Sequence, residues 1–435
     1  MTPSANKQGR YTGRPLERYI NRAAAPPLLD TRPASGLGLV VTIPAYDEPD
    51  VLGVLDNLQT CDAPPCAVEV IVLVNEGMDA TERQRTQNRA TTQEVLDWNH
   101  RHHTPRWNAQ VVHVPPLPSR WVGVGSARKL AMDEALRRLV LAGQPDGIIA
   151  CLDADCRVKH NYLCELYAAF RSQPDLGVAC VYFEHPIENS PDGLVMARYE
   201  LFLRYYRLGL RLAGSAHAYH SVGSCITVRA SAYARQGGMN RRQAGEDFYF
   251  LQKLVDGESV TELTTTTVMP AARHSDRVPF GTGHALKQGA RDANLIGFYH
   301  PEVFIDLKAF FELAPDLFID PDTLQSALRA RPVLALFLAS KDAGKHLREI
   351  RKNVATQAAF IRRVKRWCNG FMCMKYARFA SPQHYAFQDP VVATKTLLQL
   401  CHEAPSHIVD VVDALDRLRR LEINGEGIQK ADVPG

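Results

Sequence analysis

Between Leu37 and Thr267, short apolar runs alternate with longer stretches of helical character, and this limits the fold more than any other feature of the 435-residue chain. Leu39–Ile43, Val68–Val74, Gln110–Val114 and Gly147–Leu152 read as strands. Pro49–Leu58, Asp79–His103 and Ser126–Leu141 read as the helices between them. Strands separated by crossover helices build an α/β domain with a mostly parallel sheet covered by helices. Ligands of such sheets sit beyond the carboxyl ends of the strands. The residues just after each strand are therefore where chemistry is expected.

The run Gly147–Leu152 ends in two carboxylates, Asp153 and Asp155, with Ala154 between them. On a continuing strand, alternate side chains share a face. Two carboxylates on one face repel unless a cation sits between them. Hard divalent ions such as Mg²⁺ or Mn²⁺ take oxygen ligands and bridge to substrate phosphates. A second such pair, Asp320-Pro321-Asp322, reads instead as a helix cap followed by proline at the first helical position.

Four further signals stand in order around that pair. Val41-Thr42-Ile43-Pro44-Ala45-Tyr46-Asp47-Glu48 is a strand running into an acidic turn that can cradle a nucleobase and ribose. Acids entering a helix are also favoured by its dipole, so that reading stays open beside the first. Gly123-Val124-Gly125-Ser126-Ala127-Arg128-Lys129 is a glycine-rich helix entry with an arginine, which suits a diphosphate. Gly245-Glu246-Asp247 follows Gly237-Gly238-Met239 and starts a helix whose apolar stripe reads as Phe248, Leu251, Leu254 and Val255. A carboxylate there is either an acidic cap or a general base for an acceptor hydroxyl. Arg273 to His284 holds two His and two Arg in a glycine-bearing loop.

These residues resemble the family 2 glycosyltransferases and their GT-A relatives over about residues 38–255. The likeness lies in the Ile-Pro-Ala-Tyr-Asp-Glu entry, the Ala-Arg helix start, Leu-Asp-Ala-Asp, and Gly-Gly-Met before Gly-Glu-Asp. The resemblance implies a GT-A nucleotide-binding domain and a nucleotide-diphosphate sugar as donor, with Mn²⁺ or Mg²⁺. It implies that Pro44, Tyr46, Glu48 and Asn75 line the nucleotide pocket and that Arg128 approaches the phosphates. Asp153 would touch the ribose or metal, Asp155 would bind the metal, and His274 would be a further metal ligand, with His284 second. Asp247 would be the base of an inverting displacement, and Glu246 would orient the acceptor.

The chain departs from the family pattern at Asn75, where an acid is usual, and at Lys129, where Asn is usual. Arg363-Val364-Lys365-Arg366-Trp367 matches a motif of processive synthases but lies far downstream of Asp247, and reads as a basic helical face. A retaining transferase on the same fold is an alternative. So is a sugar-nucleotide pyrophosphorylase, which would need a glycine-rich basic loop where Pro44–Glu48 stands. A non-catalytic nucleotide-sugar-binding protein is a third, opposed by the joint presence of Asp153, Asp155, Glu246 and Asp247.

Composition bounds the rest. The hydrophobic fraction is 46% and the charged fraction 23%, ordinary for a soluble protein. There is no unbroken apolar run of transmembrane length. Residues 1–36, rich in Pro and Arg, are expected to form a partly disordered arm rather than a secretory signal. The GT-A domain is expected over 37–283, a helical region over 284–423 and a polar tail over 424–435. Helices are expected at Pro332–Leu338, Lys345–Val364, Val391–His402 and His407–Leu421. Ten cysteines without a CxxC pair point to reduced thiols in a cytoplasm.

Lys345–Phe379 carries ten Lys/Arg against the single acid Glu349. With the whole chain at +4, a local +9 leaves about −5 elsewhere. That face suits an acidic acceptor, an anionic membrane surface or only solvent. The acceptor is a hydroxyl of unspecified origin, and no nucleic-acid partner is expected.

Overall fold

The computed structural model describes residues 14–22, 25–118, 121–187, 191–242, 245–271, 296–405 and 407–425. His274 and His284 lie outside them. The chain divides into two compact units, one of Met1–Pro186 with Ser221–His284 and one of Ile187–His220 with Ala285–Gly435. The helical unit thus takes a segment, 187–220, from within the stretch that the sequence reading assigns to the sheet domain.

The first unit holds β1 (Leu37–Ala45), β2 (Ala67–Val74), β3 (Trp107–His113), β4 (Ile148–Cys151), β5 (Arg157–Val158), β6 (Leu176–Phe183), β7 (Ile226–Arg229) and β8 (Ser259–Met269). They form one sheet in the order β3-β2-β1-β4-β7-β6-β8-β5. The β3-β2-β1-β4 half is parallel throughout. Beyond β4 the sheet is mixed: β7 runs antiparallel to both β4 and β6, β8 runs parallel to β6, and β5 runs antiparallel to β8. Every residue of β2 is buried, as expected for a strand covered on both faces.

The helices up to residue 257 are α1 (Arg14–Arg22), α2 (Val51–Gln59), α3 (Glu82–His102), α4 (Val124–Leu141), α5 (Tyr162–Ser172), α6 (Pro191–Leu212), α7 (Ala230–Arg235) and α8 (Glu246–Gly257). All but α6 belong to the sheet unit. α3 opens with a reciprocal cap between Thr81 and Gln84. α4 starts at Val124, two residues earlier than its sequence suggests, after Gly123 at φ 136°. It packs on β1 and β2, and its outer side is covered by the N-terminal arm. Ala25 N–H donates to Asp133 (2.9 Å), Leu28 N–H to Glu134 (3.0 Å), and Arg138 to the Thr31 carbonyl (2.9 Å). Ala34 N–H donates to Glu69 of β2 (2.8 Å). Residues 25–34 are therefore stitched to α4 and β2 by hydrogen bonds between their backbone and side chains of those elements.

The second unit joins α6 to α9 (Glu302–Glu312), α10 (Ala314–Ile319), α11 (Leu324–Ala327), α12 (Pro332–Ala339), α13 (Ala343–Lys352), α14 (Gln357–Trp367), α15 (Gly370–Ala380), α16 (Pro390–Leu400) and α17 (Val411–Ile423). The sequence reading of one helix over Lys345–Val364 is corrected here. The chain turns between Lys352 and Gln357, and the Thr356 hydroxyl accepts from Ala359 N–H (3.2 Å) to start a new helix. Leu201 and Tyr205 of α6 are buried, and Tyr206 packs against Tyr299 and Phe304. The aromatic run 199–206 therefore contributes to a core. α6 is tied to α17 by a buried ion pair of Arg204 with Glu422 and a part-buried one of Arg419 with Glu200 (2.8 Å).

Asp320 accepts from Asp322 N–H (2.9 Å), the capping role expected of the second acidic pair. All ten cysteines are free thiols. Among the described residues, no helix is long and apolar enough to cross a membrane.

Candidate active site

The strand order places β1 centrally, with β2 and β3 on one side and β4 on the other. Chain progression reverses between β1 and β4, so the flanking connections diverge there and leave a crevice beyond the carboxyl ends of the two strands. Tyr46 and Asp153 both stand at that crevice, one following each strand.

On the β1 side, Pro44 and Tyr46 are half-buried. Asp47 has φ 49°, unusual for a residue with a side chain. Two side chains of α3 hold it there. Asn88 accepts from Asp47 N–H (2.9 Å), and Arg83 grips its carboxylate at 3.0 and 2.5 Å. Asn88 in turn donates to Glu76 (2.9 Å). Burial raises the Tyr46 phenol above its ordinary value, and Asp47, Asp79 and Glu76 add to the shift. Asn75 is buried at the end of β2, with its N–H on the Ala45 carbonyl (3.2 Å). Glu48 is buried, and its carboxylate accepts from Asp50 N–H (3.3 Å) just ahead of α2. Of the residues assigned to the nucleotide pocket, Glu48 is thus engaged at a helix entry. Glu76 and Asn88, which sequence reasoning passed over, set the shape of the turn. No local spacing announces them, because α3 meets β1 only in the fold.

On the β4 side, the strand ends at Cys151, so Asp153 and Asp155 leave on a turn rather than on a continued strand. The alternation argument used for them on the sequence therefore does not apply as stated. Burial nevertheless alternates: Leu152, Ala154 and Cys156 are buried, while the two acids are half-buried.

Arg128, assigned to the donor phosphates, is 4% exposed and lies between two carboxylates. One terminal nitrogen donates to Asp153 and the other to Glu246. Its Nε has no partner among the described residues. Glu246 is 1% exposed because the buried stripe of α8 is Phe250, Leu251 and Leu254, which puts Glu246 one turn before Phe250 on the inward face. The stripe expected from the sequence, with Phe248 and Val255, is corrected accordingly.

Asp247 is half-buried, and its carboxylate accepts from Phe248 N–H (2.7 Å). The Arg128 guanidinium thus binds two carboxylates and acts electrostatically on a third, Asp247. Burial raises Glu246 to about 7, with Arg128 opposing and Asp247 and Asp153 adding repulsion. Asp247 is raised for the same leading reason. Two glycines make the arrangement possible. A Cβ on Gly223 would lie 2.1 Å from an Arg128 nitrogen, and one on Gly125 2.9 Å from Glu246 Cβ.

A sequence model described as "Glycosyl transferase family 2" matches residues 40–236, from β1 through Asp153 and Asp155 to the end of α7. A second model, "Glycosyl transferase family group 2", matches residues 148–339. The chain belongs to glycosyltransferase family 2. The protein is a glycosyltransferase enzyme built on a helix-flanked, mixed α/β sheet. No curated protein sequence matches the chain significantly.

Among solved structures, this glycosyltransferase is similar to S. aureus TarS 1-349 in complex with UDP-GlcNAc, at 13% identity and a TM-score of 0.39, covering 81% of this chain and 94% of that one. It is also similar to the mannosyltransferase PcManGT from Pyrobaculum calidifontis in complex with GDP-Man and Mn²⁺, at 16% identity and a TM-score of 0.36, covering 81% and 92%. A third is glucosyl-3-phosphoglycerate synthase from Mycobacterium tuberculosis, at 18% identity and a TM-score of 0.33, covering 52% and 70%.

Proposed function

We propose that this glycosyltransferase moves a sugar from a nucleoside diphosphate to an acceptor hydroxyl with inversion, and that Asp247 is the general base. The observation that carries the reading is the convergence of Asp153, Glu246 and Asp247 around Arg128 beside the β1–β4 crevice. It joins the turn after β4 to the acidic start of α8. Burial raises the proton affinity of Asp247, which suits a carboxylate to take the proton of an attacking hydroxyl. Asp247 is the more accessible of the α8 pair, whereas Glu246 is turned inward onto Arg128. Glu246 would fix the orientation of its neighbour and of the acceptor.

The donor set also suits a divalent cation. Asp153, whose side chain is 35% exposed, and the half-buried Asp155 offer hard oxygen ligands separated by one residue. Two carboxylates fall short of a full coordination sphere, which leaves positions for phosphate oxygens and water. Among the described residues no group of three or more His, Cys, Asp or Glu forms a metal site, and His274 lies outside them. Asp153 and Asp155 would hold Mn²⁺ or Mg²⁺, which supplies charge neutralisation of the diphosphate leaving group. Pro44, Tyr46 and Asn75 would face the nucleoside.

The protein is proposed to act in the cytoplasm. The exposed cations Lys345, Lys352, Arg362, Arg363 and Arg366 would give a peripheral contact with an anionic membrane face.

Asp247→Asn is expected to bind the donor nucleotide as the wild type does and to lose at least about 10²-fold in turnover. Calorimetry with initial-rate assays reads both, and proton NMR of the fresh product reads the anomeric configuration. Turnover at the wild-type rate removes Asp247 as base, and a retained anomer removes the single displacement. Titration of UDP, GDP, CDP and dTDP with and without Mn²⁺ tests the metal and names the base. Binding of one nucleotide should depend on Mn²⁺ and be lost in Asp155→Ala; metal-independent binding in both proteins would leave the acidic pair without that role.

A further inference from the structure

We infer that Arg128 is a positioning residue that holds the donor-side carboxylate Asp153 and the acceptor-side carboxylate Glu246 at one fixed spacing. The inference rests on the transferase reading above. With 4% of its surface exposed, Arg128 cannot meet a phosphate without leaving its present partners. Its two terminal nitrogens point to different carboxylates, Nη1 to Glu246 Oε1 and Nη2 to Asp153 Oδ1. A planar fork can span two partners in this way, and a lysine ammonium on a flexible stem cannot reproduce that geometry.

The surroundings are cut to fit the fork. A Cβ on Gly223 would meet Arg128 Nη1 at 2.1 Å and Cζ at 2.4 Å. A Cβ on Gly125 would meet the Arg242 carbonyl at 2.4 Å and Glu246 Cβ at 2.9 Å. Neither glycine has a left-handed φ, so the backbone conformation does not require them there. What they supply is volume, one on the guanidinium and the other on the carboxylate stem it holds. The turn after β4 and the first turn of α8 are thereby joined through one side chain. Displacing the guanidinium by a fraction of an ångström moves the groups that seat the donor and the acceptor relative to each other.

Gly223→Ala tests this without altering any charge. Initial rates, donor-nucleotide affinity and thermal unfolding would be measured for Gly223→Ala, Arg128→Lys, Glu246→Gln and the Gly223→Ala/Glu246→Gln double variant. Gly223→Ala is expected to fold, to keep donor KM within about threefold and to lower kcat about 10–10²-fold, the scale of an ångström-level misplacement. Arg128→Lys should behave alike, since its charge remains but the fork is lost. Because part of the effect of Arg128 passes through Glu246, the loss in the double variant should fall short of the product of the two single losses.

Rates that multiply in the double variant, or a Gly223→Ala or Arg128→Lys protein at the wild-type kcat, overturn the inference. So does a Gly223→Ala protein with a lowered melting temperature and an unchanged kcat. Wild-type protein that transfers from no donor would remove the transferase reading itself. Wild-type transfer with indifferent variants removes the positioning role alone.

Discussion

The helix α4 and the helical hairpin α13–α14 carry similar densities of charge and end in opposite environments. α4 bears Arg128, Lys129, Asp133, Glu134, Arg137 and Arg138, and all but Arg137 are buried. On α13 and α14, Lys345, Arg348, Lys352, Arg362, Arg363 and Arg366 are exposed. The difference follows the sign of the charges rather than their number. α4 mixes both signs, and each buried group finds an opposite or hydrogen-bonding partner. Lys129 pairs with Asp133 (2.8 Å), and Arg138 with Glu69 of β2 (2.5 Å). Asp133 also accepts from Tyr19 (2.6 Å) and Tyr233 (2.7 Å). A buried charge is tolerable only when paired. The hairpin offers Glu349 as its own acid, and Asp322, from the turn after α10, pairs with Arg348 (2.6 Å). A run of nearly one sign cannot pair with itself, so it stays in water or waits for an anionic partner.

The sharpest way to break this comparison is Arg138→Ala. It leaves Glu69 buried in β2 without its cation and frees the arm at Thr31, and is expected to cost about 3–5 kcal/mol in urea unfolding. Arg362→Ala, in the exposed hairpin, should stay within about 0.5 kcal/mol. Equal losses at the two sites would mean that burial does not separate them.

A smaller effect concerns pH. Glu246 is raised from 4.5 to about 7, so the folded protein holds this proton more tightly than the unfolded chain. Its contribution is neutral below about 4.5, and stability falls as the pH rises from there to about 7, by about 1–3 kcal/mol. Comparing unfolding free energies across that window in wild type and Glu246→Gln checks it; an identical slope in both would assign the pH dependence elsewhere.

The smallest effect is on the hairpin. Arg362→Gln with Arg363→Gln should weaken co-sedimentation with phosphatidylserine vesicles by about fivefold per residue, near 1 kcal/mol each. Neutral phosphatidylcholine vesicles should bind neither protein. Wild-type protein that ignores anionic vesicles would leave these cations simply solvated.

Much of the sheet unit was legible because its strands declare themselves locally. β2 is a near-continuous apolar run, and β4 closes on the acids. The site was legible as a set of strand ends and one helix start, since those positions follow from alternation alone. Its internal contacts were not. Nothing between residues 123 and 129 says that Arg128 faces Asp153 and Glu246 rather than a phosphate. Those partners lie 25 and 118 residues away, and the two glycines that make room look like turn residues. The helical region was less legible, since α13 and α14 share one continuous basic pattern and are separated only at the Thr356 cap.

The sequence by itself determined the alternation of strands and helices, the acidic ends of β1 and β4, and the acids that begin α8, because each depends on neighbours within a few residues. Tertiary structure alone decided the mixed half of the sheet, the transfer of α6 to the helical unit, the covering of α4 by residues 25–34 and the clamp on Arg128. Each of these depends on pairings across tens to hundreds of residues, where packing and the need to neutralise buried charge select one partner among many that the local sequence would allow.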